Sequence, residues 1–272
     1  MITREPIYTD APSGAWQGVV RSLVVGLNEI GRAGSMTVQA MAGIPSLFMS
    51  RRKRRELARQ MYVMGIKSLP VISVVGLFTG MVLGLQVGLE LRRFNQEIFI
   101  GSGVMLAMLR EMGPFMTGLI MAACVGSSMA AQLGTMTVND EIAALEIMSI
   151  NPLRFLMTPR LAAMILMMPV LSFYACILGV VGGGLVGLTQ LNVPWDQYMN
   201  MAMHFAKVRD LYVGLLKALL FGVVITGVSC YEGFTTRQGA VGVGRATRRS
   251  VVTSFLLILI LGYIVTRMFY DL

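Results

Sequence analysis

Five stretches of this chain are too apolar to remain in water, and they decide what it can become. Residues 66–91, 98–133, 161–191, 208–231 and 250–268 each approach or exceed the ~20 residues a helix needs to cross the hydrocarbon of a bilayer. Hydrophobic residues make up 55% of the 272, mean hydropathy is +0.69 and charged residues are only 14%, more apolar surface than a soluble core uses. The expected fold is all-α and integral to a membrane: an N-terminal interfacial helix, five transmembrane helices, and a short cytoplasmic helix between the second and third.

The net charge of +9 does not point to nucleic acid, because the excess lies beside apolar runs, where membrane topology accounts for it. Cys124, Cys176 and Cys230 fall in or at the ends of those runs with no metal-ligand spacing, and His204 is the single histidine. No cleavable signal peptide is expected, since the first residues lack an apolar core beside a cleavage site. The absence of a nucleotide-binding motif and of a catalytic cluster predicts a chain that is not an enzyme by itself.

From Trp16, the positions Val19, Val20, Leu23, Val24, Leu27 and Ile30 keep the helical period with Arg21, Asn28 and Arg32 opposite, which predicts a helix lying in the membrane interface. The run Arg51-Arg52-Lys53-Arg54-Arg55 then anchors the chain on the cytoplasmic side. In the first span Gly76, Gly80, Gly84 and Gly88 recur every four residues, giving one nearly bare face for close helix packing. Gln86 and Glu90, near its outer end, are polar enough to face a cavity. The third span carries a second such surface in Gly179, Gly182, Gly183, Gly184 and Gly187. Residues 192–197, with Pro194 and Trp195, read as an outer loop, and residues 232–249, with four arginines, as a cytoplasmic one.

Charges inside the spans carry the sharper signal. Arg110 and Glu111 interrupt the second span, and Lys217 stands about 13 Å inside the fourth at helical rise. Opposite charges at matching depth predict an intramembrane pair between Glu111 and Lys217, against the alternative that each separately lines a cavity. Counting sides by positive residues puts the N-terminus in the cytoplasm and the C-terminus outside.

Between the second and third spans, residues 135–151 turn polar and acidic. Thr137 and Asp140 have capping-box spacing, Ile142, Leu145 and Met148 form an apolar stripe, and Asn151-Pro152 ends the pattern. An acidic interfacial helix is disfavoured at anionic lipid, so a protein-docking helix is expected.

Three strings in this region resemble those of the MlaE/YrbE permeases, the membrane subunits of ABC transporters that act with MCE-domain proteins in bacterial lipid traffic. They are Arg110-Glu111-Met112-Gly113-Pro114, the run from Gly126-Ser127-Ser128 to Gly134-Thr135-Met136, and Glu141-Ile142-Ala143-Ala144-Leu145-Glu146 before Asn151-Pro152. Cys230-Tyr231-Glu232-Gly233 and the stretch Gly239 to Thr247 extend the likeness, which covers roughly residues 61–272. The family often has an acidic residue where Gln132 stands, and Gln then Asp where Glu141 and Ala143 stand. The resemblance divides the chain into an N-terminal elbow and anchor, 1–60, and a permease domain, 61–272. It implies a homodimer in the bacterial inner membrane, a cytoplasmic ABC ATPase carrying ATP and magnesium, a periplasmic MCE-domain partner and a phospholipid substrate, with no cofactor in this chain. Asp140, Glu141, Leu145 and Glu146 would then couple to the ATPase, and Gln86, Leu89 and Glu111 would line the lipid cavity. Two rivals remain at this stage: an ion-coupled transporter using Glu111 and Lys217, and a non-transporting scaffold for MCE proteins.

Overall fold

The computed structural model describes residues 31–48 and 51–270. The expected interfacial helix from Trp16 lies almost wholly outside the described residues. Helix α1 spans residues 31–42, and α2 (Pro45–Phe48) leads into the basic helix α3 (Arg51–Met64). A 3-10 turn, Ile66–Ser68, joins α3 to α4 (Leu69–Arg92), completing the first membrane-length segment, Lys53–Arg92. The second segment, Glu97–Val138, contains α5 (Ile100–Ala107), α6 (Gly113–Met121) and α7 (Ser127–Val138), joined by π-helical turns at Met108–Met112 and Ala122–Gly126. The short α8 (Glu141–Ile147) follows, then α9 (Thr158–Gln190), α10 (Trp195–Phe205), α11 (Val208–Phe234) and α12 (Gly239–Phe269). Among the described residues five helical segments are long and apolar enough to cross a membrane, and no strand occurs.

Helix α9 is the central post, packing against α3, α4, α5, α6 and α11. Its glycines meet those of α4: a methyl group at Gly80 would collide with the Gly179 carbonyl oxygen, and one at Gly84 would lie 2.8 Å from the Gly183 Cα. Bare backbone on both sides lets the helices gain dispersion contacts where lipid supplies no hydrophobic drive between them. The stripe Gly76, Gly80, Gly84 and Gly88 is therefore consumed within one chain. Outward, Val71, Val74, Phe78 and Val82 of α4 and Leu256, Ile260 and Tyr263 of α12 are exposed, the surface a bilayer would cover.

Three expectations are corrected. The stretch 232–249 is mostly helix, because Gly242, Ala246, Ser250 and Ser254 form a buried small-residue stripe that continues the last span by nearly three turns. Only a tight turn remains, with Gln238 at φ 70° and Gly239 at φ 62°. The outer loop at 192–197 gives way at Trp195 to α10, which buries Tyr198 and Ala202 one turn apart, Tyr198 donating a 2.9 Å hydrogen bond to the Val180 carbonyl. The capping box at Thr137 and Asp140 does not form. Thr137 belongs to the last turn of α7 and donates to the carbonyls of Leu133, at 2.8 Å, and Gly233, at 3.0 Å.

Candidate functional site

The charged residues of the second span are presented by an irregular piece of helix. The π-helical turn at Met108–Met112 widens the coil, and Pro114 has no N–H to offer the Arg110 carbonyl four residues back. Lys217 of α11 takes the place of that donor, its ammonium 2.7 Å from the Arg110 carbonyl oxygen. Gly214, one turn earlier on α11, makes the approach possible, since a methyl there would collide with the Leu109 carbonyl. The Lys217 ammonium also donates to Glu111 Oε1 at 2.6 Å and to Thr266 Oγ1 of α12 at 2.7 Å, so all three of its hydrogens are engaged. Thr266 in turn donates to Glu111 Oε1 at 2.5 Å.

A second pair lies beside the first. Arg110 Nε donates to Asp210 Oδ1 at 2.8 Å, and the Tyr270 hydroxyl donates to the same oxygen at 2.6 Å. The Arg110 guanidinium stacks 4.6 Å from the Tyr270 ring centroid, a cation–π contact. Asp210 Oδ2 accepts from the Lys207 backbone N–H at 3.3 Å, closing the first turn of α11. Burial, together with the Asp210 carboxylate beside it, pushes the Tyr270 hydroxyl up to about 12. Four charges from two spans thus cancel in sign, with the inner members sealed and the outer ones open. The side chains of Lys217 and Asp210 are 1% and 2% exposed, those of Glu111 and Arg110 40% and 37%.

The structure therefore brings together Arg110, Glu111 and Lys217 and adds three partners that the sequence reading missed, Asp210, Thr266 and Tyr270. The missed signals were an acid in the first turn of an apolar helix and a polar pair, Thr266 and Tyr270, four residues apart at the end of another. Gln86 and Leu89 lie outside this hydrogen-bonded cluster. Both are exposed on α4, off its glycine face, and no hydrogen bond or ion pair joins either to Glu111. Glu90, expected to face a cavity, is exposed and pairs with Arg93 at 3.3 Å.

At the opposite end of the second and third spans, α8 is held out from the helical body. Asp140 enters it at φ 58° and Ser149 leaves it at φ 59°, two non-glycine residues in the left-handed region. The exit is a Schellman motif: Ser149 N–H donates to the Glu146 carbonyl and Ile150 N–H to the Leu145 carbonyl, both at 2.9 Å. Asn151 then caps the next helix rather than ending this one, its Oδ1 accepting from the N–H groups of Leu153, at 3.0 Å, and Arg154, at 3.3 Å. None of the residues of α8 is buried. Asp140, Glu141 and Glu146 are exposed, Leu145 is half-buried, and Ile147 and Met148 are 84% and 60% exposed. Behind the helix a cavity of about 980 Å³ opens toward α1 and the end of α11, lined by Ile142, Glu146, Met36 and Phe234 among others.

Comparison with known proteins follows the same regions. Residues 57–268 match the family model described as Permease MlaE. The chain is 38% identical over 237 residues to a probable ABC transporter permease protein of Rickettsia felis, a match covering 87% of this chain and 92% of that one. It is 36% identical over 238 residues to the intermembrane phospholipid transport system permease protein MlaE of Haemophilus influenzae, covering 87% of this chain and 90% of that one. A probable ABC transporter permease protein of Synechocystis is 33% identical over 217 residues, covering 80% and 82%.

Proposed function

The chain belongs to the MlaE permease family, and from that membership we propose that it is the membrane subunit of an ABC transporter that moves phospholipid between the bacterial inner membrane and a periplasmic MCE-domain protein. It works as a homodimer, and a separate cytoplasmic ATPase subunit supplies ATP binding and hydrolysis with its magnesium. The observation that carries this reading is α8, a helix set between two spans with Ile147 and Met148 exposed beside Glu141 and Glu146. An apolar edge flanked by acids is what a groove on a partner protein would bind. Asp140, Glu141, Leu145 and Glu146 are the coupling residues of this reading.

Positive residues support the sidedness. The basic helix α3, α8 and the arginine-bearing start of α12 share one end of the bundle, which is assigned to the cytoplasm. The C-terminus then falls in the periplasm. Near that outer face, Glu111 would meet lipid in a cavity between two copies, with Gln86 and Leu89 on its wall. Lys217, with every hydrogen taken and its side chain sealed, is built as a strut, which disfavours a proton relay through the pair. The scaffold alternative separates from transport by flux.

The test joins binding to flux. In a complex co-expressed with its ATPase, Glu141→Lys combined with Glu146→Lys should abolish ATPase retention and ATP-dependent movement of fluorescent phospholipid. Retention and movement at the wild-type level in that variant would overturn the coupling assignment.

A further inference from the structure

At the end of the bundle that carries α8, an apolar crevice and a basic mouth adjoin. The crevice, about 450 Å³, lies between α1, α11 and α12 and is walled by Val38, Met41, Val224, Val228 and Leu257. That volume falls within the ~300–1,000 Å³ of small-ligand sites. Its geometry comes from Gly227, where a methyl would lie 2.5 Å from Thr37 Oγ1, so α1 seats directly on the α11 backbone and leaves a slot along one side. The mouth, about 180 Å³, is lined by Arg237, Arg245 and Arg249 against one carboxylate, Glu232. Tyr231 and Glu232 line both spaces, which makes them neighbours. Among the described residues none of the three arginines forms an ion pair. From Tyr231 to Val223 the crevice follows α11 for about 12 Å toward the middle of the span, at 1.5 Å per residue.

We propose that this crevice and its basic mouth bind one anionic phospholipid of the surrounding leaflet, the phosphate held by Arg237, Arg245 and Arg249 and an acyl chain lying in the slot between α1, α11 and α12. Arginine forks suit phosphate oxygens, and an apolar slot running into the membrane beside them suits a chain attached to that phosphate. A free anion would need the mouth alone, and an apolar helix from another protein would need the slot alone. A phospholipid uses both at once. The site stands at the other end of the second and fourth spans from the Glu111–Lys217 cluster and does not rest on the transport reading.

Native mass spectrometry of the purified full-length chain, after exchange into equimolar phosphatidylglycerol and phosphatidylcholine, reads the site directly. Wild type should retain phosphatidylglycerol preferentially, and glycerol phosphate should not compete. Arg245→Ala with Arg249→Ala should lower that preference by about fivefold per arginine removed, and the matching Lys substitutions, which keep the charge but not the fork, should restore part of it. Val38→Trp, at a position 65% exposed and so tolerant of bulk, should block the slot and reduce retention of both lipids. The proposal is overturned if wild type shows no headgroup preference, if Val38→Trp leaves retention unchanged, or if glycerol phosphate competes as well as the lipid.

Discussion

At the scale of single residues the molecule is organised by Lys217. A buried ammonium with three acceptors is stabilised by the set, and removing one partner leaves the others charged or unpaired in a dry place. Lys217→Ala should therefore destabilise the chain by about 3–5 kcal/mol, read as a lower thermal midpoint in detergent. Lys217→Met combined with Glu111→Leu should recover only part of that loss, because two apolar groups leave no unpaired charge behind but still leave the Arg110 carbonyl without a donor. Exchanging the two charges should recover far less. A carboxylate at position 217 would face the Arg110 carbonyl, which needs a donor, so equal melting of the exchange variant and wild type would sink this account. The sequence showed the two charges and their depth but not why Lys217 is where it is. That depends on the Arg110 carbonyl left without an N–H donor by Pro114, a vacancy written in the spacing of Arg110 and Pro114 and visible only once the helix is built.

Among the elements, glycine separates contacts that hold the fold from those that do not. Gly80→Ala must push α4 off α9 and should cost about 1–3 kcal/mol, whereas Gly244→Ala, with nothing within 4 Å, should be neutral or slightly stabilising. Comparing their denaturation midpoints checks this, and an equal response would mean that the helices are not in contact at Gly80. In α8 the left-handed exit residue sets the direction of the chain: Ser149→Gly should be tolerated, while Ser149→Val should cost about 1–2 kcal/mol locally and weaken ATPase retention. The four-residue glycine pattern was legible because close packing in lipid needs small residues in a row, and the same rule applied to Gly242, Ala246, Ser250 and Ser254 would have revealed the inner turns of α12. Arginines in that stretch masked it. The short helix was legible as a polar interruption, but its start was misplaced, because a capping pattern at Thr137 and Asp140 also fits the end of a helix whose threonine bonds backward.

For the whole molecule, span number and connectivity followed from the length and apolarity of the runs, since a continuous apolar run of that length satisfies its own backbone in hydrocarbon as a helix. Which spans touch was not legible: contact between α4 and α9, or between the second, fourth and fifth spans, depends on side-chain shape across a hundred residues of separation. Orientation can be checked with a membrane-impermeant maleimide, a single cysteine being introduced into a chain freed of its own three. Asn95→Cys should react from the periplasmic side and Ala143→Cys only in inverted vesicles, and the reverse pattern would invert the assignment. The Lys217 contact has a mechanical corollary. A side chain that grips the main chain of a neighbour, rather than resting on its side chains, forbids sliding by even one residue without losing its seat. The spans bearing Arg110, Lys217 and Thr266 are therefore pinned as a single block near one surface, and any bending that carries force from the far end must be taken up away from that pin.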